Sequence, residues 1–286
     1  MRITPTKISA SSVMLFFILF VLAGKASAEI RLGILPRLGA VELFVMFNPL
    51  AEYLTKETGE KVSIVIPKDF DAYKEAARAG NFDLGFTNSL IYVQLKKDMQ
   101  IAPLVIASEQ KAGTRFRGII IARKDSGLER LPDLKGKRLV FVERDSAGGY
   151  LFQMLLLKKA GLEVNRDFVL LPFAKKHDNV AMAVFNGAAD AGGIREDDFE
   201  RMQDKVDIKQ LKIIGHTEYY PNWTLFAAPG LNKATADKVK TALMKLKSGD
   251  PQSEKVLKPA GLTGFAAVMD RDYDRLRQAA KEFGAL

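Results

Sequence analysis

One short stretch carries residue types and spacing suited to holding an anion. RLVFV (138–142) is apolar and β-branched and reads as a buried strand. It breaks through Glu143, Arg144, Asp145, Ser146, Ala147, Gly148 and Gly149 into YLFQMLLLKKAG (150–161), an apolar-faced helix with lysines in its last turn and Gly161 just past it. A strand that yields to a helix through glycines leaves the first amide N–H groups of that helix unpaired, and the helix dipole adds partial positive charge there. An oxyanion fits such a terminus. An ordinary capped strand-to-helix turn uses the same residues, so this stretch alone leaves both readings open.

Other polar and aromatic residues stand at the ends of the periodic segments. Arg37 follows the first strand, Phe70 ends the second, Asn88 and Ser89 cap a helix that carries Tyr92, and His177 with Asp178 opens a further helix. A guanidinium offers a bidentate fork to an anion, and imidazole donates to one and changes charge near neutral pH. Glu218, Tyr219, Tyr220 and Trp223, in GHTEYYPNW (215–223), either pack in a core or touch the variable part of a ligand. His216 reads as a solvated hinge residue. Asp83 and Asp190, each just before an apolar strand, read as turn carboxylates rather than acid–base catalysts. The chain has no G-x-S-x-G, no H-E-x-x-H and no Walker-type loop, and its two histidines and absence of cysteine exclude His-rich or Cys-ligated metal sites and thiol catalysis. No catalytic residue, metal or cofactor is expected.

The elements that must position these residues alternate. Strand patterns at 29–36, 61–70, 83–87 and 101–110 are separated by helical patterns at 41–59, 71–82 and 88–98. A strand at 118–125 and a Gly/Ser/Pro-punctuated segment come next, and then the alternation restarts: strands at 138–142, 168–173, 191–194 and 211–215, helices at 150–161, 177–190 and 195–204. WTLFAAPG (223–230) reads as a strand returning to the first unit, followed by an amphipathic helix at 234–249 and shorter helical pieces to 284. This is an α/β pattern of mainly parallel sheets flanked by helices. Two α/β units crossed twice, near 111–118 and 214–222, leave a cleft at the carboxyl ends of their strands, where open sheets bind ligands. The expected division is a leader at 1–28, lobe I at 29–113 plus 220–286, and lobe II at 114–219.

The first residues read as an export signal: basic Arg2 and Lys7, an apolar run at 13–24, and Ala26-Ser27-Ala28 as the cleavage site. That apolar run is short for a membrane span. Cleavage after Ala28 removes three basic residues and no acid, so the net charge of +9 falls to +6. The remaining basic residues are scattered among acids, which argues against nucleic acid. An exported chain without cysteine must rely on its apolar core, which its length permits.

The pieces resemble the phosphonate/phosphite/phosphate-binding subunits of ABC transporters, which have the two-lobed type II periplasmic-binding fold. The resemblance is carried by LGILP (32–36), PLAEYL (49–54), the run from Gly80 through Asp83 to Tyr92-Val93, ARKDSGLERLPDLKGKRLVFV (122–142), DSAGGYLF (145–152), HDNVAMAVFNGAADAG (177–192), and GLTGF with DYDRLR (261–277). It implies that the family's Ser-Thr-Ser-Gly-Tyr oxyanion turn falls on Ser146 to Tyr150, its anion-contacting His on His177 and its cleft Tyr on Tyr92. Three departures stand out: Ala147 and Gly148 lack the hydroxyls, Phe70 replaces a Tyr, and Asn88-Ser89 replace Gly-Pro. The resemblance implies a periplasmic, monomeric protein that captures a small oxyanion between its lobes and delivers it to a membrane permease. The alternatives are a sensor of the same fold docking on a membrane receptor, or a binder of another organic anion. The residues expected at the ligand are Ser146, Ala147, Gly148, Gly149, His177, Tyr92, Asn88, Ser89, Phe70, Arg37, Glu218 and Tyr219.

Overall fold

The computed structural model describes residues 29–286, so the leader and cleavage site read at 1–28 lie outside the described residues. The chain begins β1 (Ile30–Ile34), α1 (Ala40–Thr58), β2 (Val62–Val65), α2 (Phe70–Arg78), β3 (Leu84–Thr87), α3 (Ser89–Asp98) and β4 (Ala102–Glu109). It crosses through β5 (Arg115–Phe116) and continues as β6 (Gly118–Arg123), β7 (Arg138–Val140), α4 (Phe152–Lys159), β8 (Val169–Leu170), α5 (His177–Phe185), β9 (Ala191–Arg195), α6 (Glu196–Phe199) and β10 (Leu211–His216). It returns through β11 (Tyr220–Pro221) to β12 (Thr224–Ala227), α7 (Lys233–Lys245), α8 (Pro251–Leu257), β13 (Leu262–Ala266) and α9 (Asp274–Glu282).

Two sheets result. Lobe I has the order β13-β4-β12-β3-β1-β2 and lobe II the order β10-β6-β9-β7-β8. The expected parallel pairing holds along β2, β1 and β3, and along β8, β7 and β9. The strands β12 and β13 in one lobe, and β6 and β10 in the other, pair antiparallel, so each sheet is mixed. β5 and β11 pair only with each other, inside the two segments read as crossings.

Each lobe is seated by the same device. Asp83 accepts from the Arg31 backbone N–H at 2.8 Å and from its guanidinium, which also donates to Gly80 O. Asp190 accepts from the Arg138 N–H at 2.7 Å and from its guanidinium, which donates to Gly187 O. An Arg opening the first parallel strand and a Gly-x-x-Asp before the third thus recur in both lobes, and the two aspartates are turn carboxylates as expected. In lobe II, Ile119 and Ile121 face one apolar cluster while Ile120 and Ala122 face another, the period-two alternation of a strand buried on both faces.

Gly85 on β3 lies directly opposite Phe226 on β12, and a methyl added there would stand 2.2 Å from the Phe226 ring and 2.8 Å from the Tyr73 hydroxyl. Gly85→Ala is therefore expected to overpack this joint and cost about 1–3 kcal/mol. The check is urea unfolding, with a lower midpoint at unchanged slope; a parental midpoint would mean that the ring yields freely.

Candidate functional site

The turn after β7 forms a π-helical start, Ala147–Leu151, running into α4. Ser146 N–H donates to Glu143 O, and Leu151 N–H closes back onto Ser146 O, both at 3.0 Å. Among the described residues, the amides of Ala147, Gly148 and Gly149 find no acceptor, which is the condition expected of an anion-receiving helix start. Gln153 fixes the turn from behind: its buried amide donates to Gly148 O at 2.7 Å, Ile194 O at 3.0 Å and Ile119 O at 3.1 Å. Gly118 makes room for this, since a Cβ there would meet Gln153 Nε2 at 2.3 Å.

His177 stands against the same turn. A Cβ on Gly149 would lie 2.7 Å from Ser146 Oγ and 3.0 Å from His177 Cε1. The Nδ1 of His177 accepts from the Arg195 backbone N–H at 3.1 Å, so the neutral ring carries its proton on Nε2. Burial pushes this imidazole down to about 4; Asp198 opposes the shift, and Arg37 and Arg195 add to it.

Lobe I meets the turn through Asn88. Its Oδ1 caps α3 on Ile91 N–H at 2.9 Å, and its Nδ2 donates to Asp145 O at 3.3 Å. The Asp145 carboxylate also accepts from Gln94 at 2.8 Å and from Lys74. Beside Asn88, the hydroxyls of Ser89 and Thr87 are buried with no hydrogen-bond partner among the described residues. On the other flank Arg37, 4 % exposed, donates to Asp198 across the lobes at 2.5 Å and lies 5.1 Å over the Trp223 ring. Arg195, 1 % exposed, donates to Glu109 at 3.0 Å and to Asn222 at 2.8 Å, with its guanidinium 4.5 Å from the Phe116 ring centroid and 4.9 Å from that of Trp223.

The layer between the lobes therefore brings together Ser146, Ala147, Gly148, Gly149, His177, Asn88, Ser89 and Arg37. Four expected residues stand elsewhere. Phe70 opens α2 instead of ending a strand, because Asp69 caps that helix on Ala72 N–H, and its ring is buried in the lobe I core. Tyr92 faces inward from α3: its ring packs on Tyr273 at 4.6 Å and its hydroxyl donates to Asp270 at 2.7 Å. Glu218 is tied to Lys159 and Arg275 at the surface. Tyr219 lies under Arg117 and Arg115, beside the β5–β11 ribbon, and lines a 280 Å³ cavity with Arg115 and Arg275. Sequence reasoning missed Arg195, Asp198, Glu109 and Asn222. The signal was the run Arg195-Glu196-Asp197-Asp198 directly after the AGGI strand, which as a run of charge reads as a solvated helix face.

A family model described as "ABC transporter, phosphonate, periplasmic substrate-binding protein" matches residues 32–273. The chain belongs to this family. This substrate-binding protein is 28% identical over 276 residues to the phosphate-import protein PhnD of Mycolicibacterium smegmatis, covering 90% of this chain and 86% of that one. It is also 28% identical over 231 residues, 74% of its length, to the tetrathionate sensor histidine kinase TtrS of Salmonella typhimurium, spanning 39% of that longer protein. Its fold is similar to that of Prochlorococcus marinus PhnD1 in complex with methylphosphonate, with a TM-score of 0.82 at 20% identity, covering 90% of this chain and 99% of that one. The two-lobed type II architecture is that of the family.

The buried neutral His177 makes the substrate-binding protein sensitive to acid. The unfolded chain takes up a proton near pH 6.5 and the folded chain only near 4. Stability is therefore complete above 6.5 and falls as the pH drops through that window, by up to about 3 kcal/mol at 1.36 kcal/mol per unit. Urea unfolding at pH 7 and pH 4.5 checks this: the parent should lose more than His177→Gln, and equal losses would refute the assignment.

Proposed function

We propose that this protein captures a small phosphorus oxyanion, of the phosphonate or phosphate class, between its lobes and hands it to the permease of an ABC transporter. The observation that carries the reading is the convergence of the three free amides at Ala147–Gly149 with Ser146, His177 and Arg37 in one buried layer. With Ala147 and Gly148 in the turn, recognition there falls to main-chain N–H groups instead of hydroxyls. Such donors suit a tetrahedral anion with several acceptor oxygens, whatever its substituent. No bond need be made or broken. Contacts that bridge Ser146–Gly149 and His177 with Asn88, Ser89 and Arg37 stabilise the closed state, so the ligand acts by shifting a population. The lobes are taken as 29–113 plus 220–286 and 114–219, hinged at the β5–β11 ribbon, in a monomer that is exported and cleaved after Ala28.

The likeness to part of a tetrathionate sensor kinase favours a second reading, in which the closed form docks on a membrane receptor. A permease and an ATPase encoded alongside would favour transport.

A thermal-shift panel of methylphosphonate, aminoalkylphosphonates, phosphate, phosphite, sulfonates and carboxylates tests the ligand class. A true ligand at a hundredfold over its dissociation constant adds about 2.7 kcal/mol of stability. Ser146→Ala and His177→Gln should each weaken binding by about tenfold or more, the worth of a hydrogen bond to a charged group. Melting unmoved by any phosphorus oxyanion would refute the reading.

A further inference from the structure

Asp198 lies on α6, directly after the strand that ends in Arg195, and is 2 % exposed. Its Oδ1 accepts a single N–H from Arg37, although a guanidinium can offer a carboxylate or phosphate two at once. Its Oδ2 is buried and has no hydrogen-bond partner among the described residues. A desolvated carboxylate oxygen without a donor is costly, and an end-on pair gains less than a bidentate one. The guanidinium groups of Arg37, Arg195 and Arg201 act on this carboxylate and hold it charged, with the neutral His177 ring nearby. Asp198 and Arg37 also line a cavity of 450 Å³ between the lobes, whose other charged residues are the acids Glu109, Asp197 and Glu200 and the bases Lys111, Arg201 and Lys258. That space gives the carboxylate somewhere to go.

We propose that Asp198 is an internal stand-in for the ligand: its carboxylate occupies Arg37 in the empty protein, and an incoming oxyanion must displace it. This rests on the reading that an oxyanion enters the interlobe layer, and it deepens that reading by making Asp198 a specificity-determining residue. An anion with one carboxylate offers Arg37 little that Asp198 does not already supply, and it must also bear the entropy loss of association. A tetrahedral oxyanion can engage both N–H groups of Arg37 and still has oxygens left for further donors. Asp198 therefore rejects monocarboxylates and admits phosphonate-, phosphate- or sulfate-like anions.

The test compares the parent, Asp198→Asn and Arg37→Gln in titrations with methylphosphonate, orthophosphate, sulfate and acetate. Binding is read by calorimetry and by the emission of Trp223, the only tryptophan in the chain and the ring over which Arg37 lies. If Asp198 competes for Arg37, Asp198→Asn binds the tetrahedral anions about tenfold more tightly or better and takes up acetate, while Arg37→Gln loses affinity for all. If the pair were only a clasp between lobes, both substitutions would weaken binding, and that result overturns the proposal. So does an Asp198→Asn chain that binds no anion of the panel. Asp198→Asn tightening on sulfate but not on either phosphorus compound would uphold the stand-in while refuting the phosphonate reading. Asp198→Ser takes its place if thermal melting shows the amide variant unfolded.

Discussion

Everything in the interlobe layer depends on keeping one guanidinium dry. Arg195 is fully buried at the joint of the two lobes; burial opposes its charge, and Glu109 and Asp197 more than offset this and hold it charged. Its partners come from both sides of the joint: Glu109 from the end of β4, Asn222 from just before β12, and the rings of Phe116 and Trp223 against its guanidinium. Separating a buried charge from its partners costs several kcal/mol, far more than breaking an exposed pair. The bridges farther out are of that cheaper kind. Glu42 reaches Arg201 and Lys205 at 3.4 Å, and Lys111 reaches Glu200 at 3.1 Å, all partly solvated. Cohesion between the lobes is thus strongest beside the crossings and weakest at the rim. A hinge requires that gradient.

The same gradient suits the ligand position proposed above. Both parallel strand sets run toward the layer, so helix starts and strand ends from each lobe arrive there together. The Arg31–Asp83 and Arg138–Asp190 bonds fix the third parallel strand of each sheet against its first. In lobe I that third strand, β3, leads straight into Asn88 and Ser89. In lobe II its counterpart, β9, ends at Arg195 and leads into Glu196, Asp197 and Asp198. A repeated seating device in two lobes delivers unlike residues to opposite walls of one cleft.

The elements legible in the sequence are those with an uninterrupted period. Ile119 to Ala122, the RLVFV strand and the Gly-x-x-Asp turns carry their signal within a few residues, and the oxyanion turn is visible because Ser146 to Gly149 are contiguous. Residues whose meaning depends on the partner lobe are not legible. Asp198 resembles any acid on a charged helix until Arg37, 161 positions away in sequence, lies against it. Tyr92 errs in the opposite direction: periodicity puts it on a helix near the cleft, but which face of α3 turns inward is set by α9 and Tyr273 packing from the far end of the chain. Phe70 is displaced by a local effect, since Asp69 starts a helix sooner than the apolar pattern indicates.

The missing hydroxyl at position 148 has a packing cause. At Gly148 a Cβ would stand 2.7 Å from the Phe116 ring, and at Gly149 it would meet Val142 at 2.5 Å as well as Ser146 and His177. Phe116 cannot withdraw, because its face holds Arg195 and its ring packs on Phe152 at 5.3 Å. A serine at 148 would therefore press on the aromatic and guanidinium stack at the joint. At position 148 the chain forgoes a side-chain donor and keeps the packing around the buried arginine, while the main-chain N–H groups of the turn remain.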